Sequence, residues 1–158
     1  MNHRANELAP RDARSRTRLK LSSAGSNYPM TTQTFPFRFT TPYRLAGLPF
    51  GITPATTAVH VRDGELAVRF GLWKLRTALT NVTSTTVTGP FSFLKTAGPA
   101  HLSLADRGLT MATNGARGLC ITFREPVPGI EPTGTLRHPA LTVTVADCQG
   151  LATVLTAR

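Results

Sequence analysis

Five side chains able to hold an anion fall on one face of a short β-meander, and their register can be read from the turns. The stretch Val59-His60-Val61-Arg62 runs into Asp63-Gly64, then Glu65 to Phe70, then Gly71-Leu72, then Trp73 to Leu79. Asp-Gly is the signature of a type I′ hairpin, and Gly at the first of two loop positions suits type II′. Pairing across Asp63-Gly64 sets Arg62 opposite Glu65 and His60 opposite Ala67. Pairing across Gly71-Leu72 sets Arg69 opposite Lys74 and Ala67 opposite Arg76. Side chains alternate along a strand. His60, Arg62, Arg69, Lys74 and Arg76 therefore share the outer face, while Val59, Val61, Leu66, Val68, Phe70, Trp73 and Leu75 take the inner one. Arg62–Glu65 is expected to be a favourable cross-strand pair. Arg69–Lys74 is a like-charge pair, which destabilises a sheet by a few tenths of a kcal/mol. Arg62, Arg69, Lys74 and Arg76 are the candidate patch for an anionic partner. The alternative is a solvated face whose long side chains splay apart under salt screening.

A second candidate is the segment Gly89-Pro90-Phe91-Ser92-Phe93-Leu94-Lys95-Thr96-Ala97-Gly98-Pro99. Phe91, Phe93 and Leu94 in a Gly/Pro-bounded loop could contact a partner or dip into a membrane interface, with Lys95 near anionic lipid. The competing expectation is that Phe91 and Leu94 fold back as a lid on the core. Cys148 is placed at a helix N-terminus, where the dipole lowers a thiol pKa; burial as a small apolar residue is the other outcome.

Catalytic constellations are not found. His3, His60, His101 and His138 lack metal-ligand spacing, and two separated cysteines do not make a zinc site. There is no G-x-S-x-G elbow, Walker loop or G-x-G-x-x-G. Acidic residues are too scattered for a paired-carboxylate site, and no aromatic-basic RNA-recognition motif appears. No enzyme activity, metal or cofactor is expected.

The 158 residues allow one domain with a proper core. The composition, 41% hydrophobic and 16% charged, is that of a globular chain. Lys and Arg number 18 against 8 Asp and Glu, a net charge of +10 that favours anionic partners. The cations are nearly all arginine, with Lys20, Lys74 and Lys95 the exceptions. Together with abundant Ala, Gly, Thr and Pro this also fits the codon bias of a GC-rich genome. No apolar run approaches the roughly 20 residues of a membrane span, and the N-terminus lacks the apolar core of a secretory signal. The expected location is cytoplasmic, where Cys120 and Cys148 would be free thiols and the Asn81-Val82-Thr83 sequon would carry no glycan.

These residues need a frame. Residues 1–29 are polar, basic and aperiodic, and Met30 is an equally good start; residues 1–34 are set apart as a disordered basic arm. Residues 35–158 form the expected single domain. Phe35, Phe37 and Phe39 alternate as a strand, at an edge because of Pro36. Residues 42–57 read as an irregular connection, and Val82 to Thr88 as a strand after a Thr80-Asn81 turn. His101 to Leu104 and Leu109 to Thr113 make a hairpin. Asn114-Gly115 reads as a second I′ turn into Ala116–Arg124. That pairing sets Leu109 and Met111 out of phase with Leu119, Ile121 and Phe123, so it needs a bulge at Gly118 or cover on both faces. Residues 126–139, with four prolines, read as a long loop, and Ala140 to Ala146 as an alternating strand. Asp147 caps a helix carrying Leu151, Val154 and Leu155.

The fold class expected is mainly β. An antiparallel meander of about seven or eight strands forms a partly open barrel, with a short C-terminal α-helix plugging one end. This order resembles the pleckstrin-homology-like (PH-like) barrel. The segments Val59-His60-Val61-Arg62-Asp63-Gly64-Glu65-Leu66, Thr77-Ala78-Leu79 and His138-Pro139-Ala140-Leu141-Thr142-Val143-Thr144-Val145, followed by Gly150-Leu151, are similar to small PH-like domains of actinobacterial proteins. The resemblance implies a non-catalytic interaction domain that binds a protein, peptide or anionic surface. Lipid-binding members carry basic residues in a long loop between their first two strands; the corresponding turn here is Asp63-Gly64. Two alternatives stand beside it. One is nucleic-acid binding through the Arg-rich arm and the basic sheet face. The other is a small-molecule carrier with its ligand inside the barrel, lined by Trp73, Phe70 and Met111.

Overall fold

A computed structural model describes residues 32–92, 96–102, 107–131 and 133–157. Of the expected arm at residues 1–34, residues 1–31 lie outside the described residues, as do the loop residues Phe93, Leu94 and Lys95, while Gln33 and Thr34 stand in a strand paired with Val61 and His60. Two sheets share one hydrophobic core. The first has the order β1-β2-β3-β4, from β1 (Gln33–Pro36), β2 (Thr57–Arg62), β3 (Glu65–Phe70) and β4 (Trp73–Ala78). The second has the order β5-β8-β9-β7-β6, from β5 (Val82–Thr88), β6 (His101–Leu102), β7 (Leu109–Met111), β8 (Gly118–Pro128) and β9 (Arg137–Val143). Helices include α1 (Thr41–Gly47) and α2 (Cys148–Thr156). The expected continuous meander is corrected here. The 3-10 turn Leu79–Asn81 sends β5 into the second sheet rather than beside β4, and among the described residues the strands do not close into a barrel.

The meander has the predicted register. Arg62 pairs with Glu65, His60 with Ala67, Arg69 with Lys74, and Ala67 with Arg76. Asp63 and Gly64 both take positive φ, 52° and 77°, as a type I′ turn requires. Gly71 has φ 59°, and a Cβ there would stand 2.7 Å from the Phe50 carbonyl oxygen. The inner face is buried: Val59, Leu66, Val68, Phe70 and Leu75 are each no more than 2% exposed, each contributing roughly 1.5–3 kcal/mol by leaving water. Trp73 is half-buried, with its ring 6.2 Å from Phe50 and 6.5 Å from Phe70. Pro36 does sit on an edge strand, where its missing N–H is no loss. Just past it, Phe37 bridges Val145, and the Arg38 N–H donates to the Thr144 carbonyl, so this segment stitches the two sheets.

The Asn114-Gly115 hairpin is not formed. Strand β9 lies between β7 and β8, parallel to β7 and antiparallel to β8. This removes the phase conflict of the direct pairing. Leu109, Leu141 and Ile121 now form one row, and Met111, Val143 and Leu119 the next, all fully buried on one side. Asn114 is buried and serves as a staple. Its Nδ2 donates to the carbonyls of Arg38 (2.9 Å) and Thr144 (3.3 Å), and its Oδ1 accepts from the N–H groups of Ala116 and Arg117.

Two further expectations are corrected. Residues 42–57 are not wholly irregular, since Pro42 sits in the first turn of α1, where a missing N–H costs nothing. Residues 126–139 are not all loop, because β8 runs to Pro128 and β9 starts at Arg137. The ladder between them shifts register between Thr122 and Val127, which leaves Pro126 and Pro139 outside the paired positions. The C-terminal helix is as read: Asp147 Oδ1 accepts from the Gly150 N–H at 2.8 Å, and Cys148, Leu151 and Leu155 are buried as α2 packs on β5 and β8.

Candidate functional site

The outer face of the first sheet is built in cross-strand rows. Arg69 and Lys74 form one row, with Ala58 beyond Arg69; His60, Ala67 and Arg76 form the next; Arg62, Glu65 and Ala78 form the third. Ala67 is the small centre of the middle row. Long side chains rise around its single methyl, leaving an open hollow of ≈ 260 Å³ lined by His60, Ala67, Val68, Arg69, Lys74 and Arg76. A second hollow adjoins it across His60, Ala67 and Arg76 and reaches Thr32, Arg62 and Glu65. The Thr34 hydroxyl lies 3.0 Å from His60 Nδ1 and holds the ring over the β1 side of the hollow.

The charges on this face are not equivalent. Arg62 is not ion-paired with its cross-strand neighbour Glu65; its Nε contacts Asp63 Oδ2 at 2.9 Å. Glu65 instead faces Arg76, with Nη1 to Oε1 at 3.7 Å. The expected Arg62–Glu65 ion pair is thus replaced by two others, because the I′ turn projects Asp63 toward Arg62. Both pairs are exposed, so each is worth under about 1 kcal/mol. Arg69 and Lys74 have no carboxylate within ion-pair distance among the described residues. Of the four patch residues, Arg69 and Lys74 are thus the two cations left uncompensated, and they flank the same hollow.

No protein-family profile, curated protein or solved structure matches this chain. The site must therefore be judged on its own chemistry. Guanidinium and ammonium groups around a shallow, exposed depression bind an oxyanion by charge-assisted hydrogen bonds. Among the described residues no group of three or more His, Cys, Asp and Glu is placed to hold a metal ion.

The other candidates separate clearly. Phe91 is half-buried, its N–H donates to the Gly115 carbonyl at 2.7 Å, and its ring edge closes on Gly118. It packs back onto the start of β8 as a lid would. Phe93, Leu94 and Lys95 lie outside the described residues. Cys148 is buried, its Sγ is 3.4 Å from the Val145 carbonyl oxygen, and burial pushes its thiol pKa up. The expected lowering by the helix dipole is overridden by loss of solvent. Cys120 and Cys148 are both free.

Sequence reasoning missed three exposed aliphatic side chains. Leu45, Leu48 and Leu72 are 64%, 52% and 77% exposed. A signal existed for Leu72: a two-residue hairpin loop leaves its second residue in solvent, so a large aliphatic side chain there is out of place.

Proposed function

We propose that this chain is a non-catalytic interaction domain of the PH-like kind, which binds an anionic partner through the outer face of its first sheet. The observation that carries this reading is the Arg69–Lys74 pair. Two like charges directly opposed on a sheet, with no carboxylate within ion-pair distance among the described residues, have a reason to coexist if an anion bridges them. Ala67 leaves room for that anion beside Arg76 and His60. Support for PH-like character comes from the sequence resemblance together with the mainly β, helix-ended architecture.

The ion-paired Arg62 and Arg76 contribute less than Arg69 and Lys74, because an incoming anion must compete with Asp63 and Glu65. The test is titration of the full chain with tripolyphosphate, followed by calorimetry. Arg69→Glu with Lys74→Glu should abolish binding at an unchanged melting temperature, and Ala67→Leu should weaken it at least tenfold by filling the hollow. Unimpaired binding by both variants would move the site elsewhere. Binding of random-sequence DNA or RNA that survives the charge reversal would favour nucleic-acid recognition by other residues.

A further inference from the structure

We infer that the Gly71-Leu72 end of the first sheet docks on an anionic lipid bilayer, with Leu72 and Leu48 entering the interface and Arg69 and Lys74 contacting the headgroups. This rests on the anion-binding reading above and names the partner. The two turns that form this end are packed together. The Gly71 N–H donates to the Thr56 carbonyl, a Cβ on Gly71 would meet the Phe50 carbonyl and Gly51, and the Gly51 N–H donates to the Leu48 carbonyl. Leu48 and Leu72 each stand on one of these turns, and Leu45 lies one helical turn before Leu48. These three are the exposed large hydrophobic side chains among the described residues. Their gathering beside a single end of the sheet is a pattern that scattered surface leucines would not give.

The depth order fits a bilayer. Arg69 and Lys74 lie two residues behind the Gly71-Leu72 turn, roughly 7 Å along the strands. An interfacial element buries its apolar side about 5–10 Å into the headgroup boundary, so an inserted Leu72 sets Arg69 and Lys74 at the phosphate level. Arg44 on the exposed side of α1 adds a third cation. From Thr32 to Arg62 and from Leu66 to Ala78 the chain has no acidic residue. On this side Glu131 shares a groove with Leu72, Trp73 and Lys74. It is engaged by the Thr133 hydroxyl and the Leu136 N–H. Leucines raised on turns suit a fluid acyl layer, whereas a protein partner would need matching pockets.

Trp73, the chain's sole tryptophan, adjoins Leu72 and is half-buried, so it reports insertion directly. The experiment is co-sedimentation of the full chain with vesicles of phosphatidylcholine alone or with added phosphatidylserine, read with Trp73 fluorescence and its quenching by brominated lipid. Expected are binding to the anionic vesicles only, weakening with salt, and a blue shift of Trp73. Leu48→Ser with Leu72→Ser should reduce affinity about tenfold or more and abolish the blue shift while leaving tripolyphosphate binding intact. Arg69→Gln with Lys74→Gln should cost about 25-fold, near fivefold for each charge. If tripolyphosphate binds through Arg69 and Lys74 but vesicles do not, or if vesicle binding ignores the leucines, bilayer docking is overturned and anion binding survives. Leucine-dependent binding of an acidic peptide without vesicle binding overturns it in favour of a protein partner. Failure to bind either tripolyphosphate or vesicles removes both readings.

Discussion

Arg69 and Lys74 face each other across the β3–β4 hairpin, both exposed, with Ala67 one row away and no carboxylate within ion-pair distance of either among the described residues. The inner-face neighbours Val68 and Leu75 are at most 2% exposed. The hydrophobic side of the hairpin therefore holds the cationic side in place, and the repulsion is borne by the core. Neutralising one partner should relieve it. Arg69→Gln is expected to leave stability unchanged or raise it by a few tenths of a kcal/mol, with the gain shrinking as salt is added. Urea denaturation at low and high salt checks this; a loss of more than about 1 kcal/mol would show that Arg69 is structural.

The two turns of the meander should respond differently to alanine. Gly64 has φ 77° with open space around its Cα, so Gly64→Ala should cost only the left-handed conformation, about 1–2 kcal/mol. Gly71→Ala adds a contact of 2.7 Å with the Phe50 carbonyl and 3.0 Å with the Ile52 side chain, and should cost clearly more. Equal losses in chemical denaturation would mean that the Leu48–Gly51 turn is not seated on Gly71.

Asn114→Ala is expected to destabilise the domain by about 2–4 kcal/mol, because the Ala116 and Arg117 N–H groups lose their Oδ1 acceptor, while the Arg38 and Thr144 carbonyls each lose one of two donors and keep the Thr113 hydroxyl and the Arg38 N–H respectively. An exposed I′ hairpin asparagine would cost far less. Hydrogen exchange of the Ala116 and Arg117 amides should quicken in the same variant.

Cys148 should be a poor nucleophile. Burial raises its thiol pKa, so the thiol form is held in the folded chain and the associated stability is fully present below the ordinary thiol value. That stability is lost as pH rises through the elevated folded value, because the unfolded chain ionises first. In a Cys120→Ser variant, Ellman's reagent at mildly alkaline pH should react much more slowly than with the unfolded chain. Rapid labelling of the native variant would contradict the burial.

Much of the first sheet was legible because its information is local. Asp63-Gly64 and Gly71-Leu72 set the turns, alternation set the faces, and Pro36 announced an edge. The Asp147 cap and the Leu151 and Leu155 spacing announced α2 in the same way. The patch was readable to the extent that it depends on register. Which cations remain free was not, because Arg62 and Arg76 find Asp63 and Glu65 through side-chain rotamers that pairing does not specify.

What the chain's own pattern determined, then, is a three-strand ribbon with a cationic outer side and an apolar inner one, ended by a capped helix. Only the tertiary structure decided that β5 leaves that ribbon, that β9 enters between β7 and β8, and that the turns carrying Leu48 and Leu72 pack together at the end nearest Arg69. The physical reason is the range of the forces involved. Turn conformation and side-chain alternation act over a few residues, whereas the place of β9 is chosen by burying Leu109, Leu141 and Ile121 in one row from distant parts of the chain.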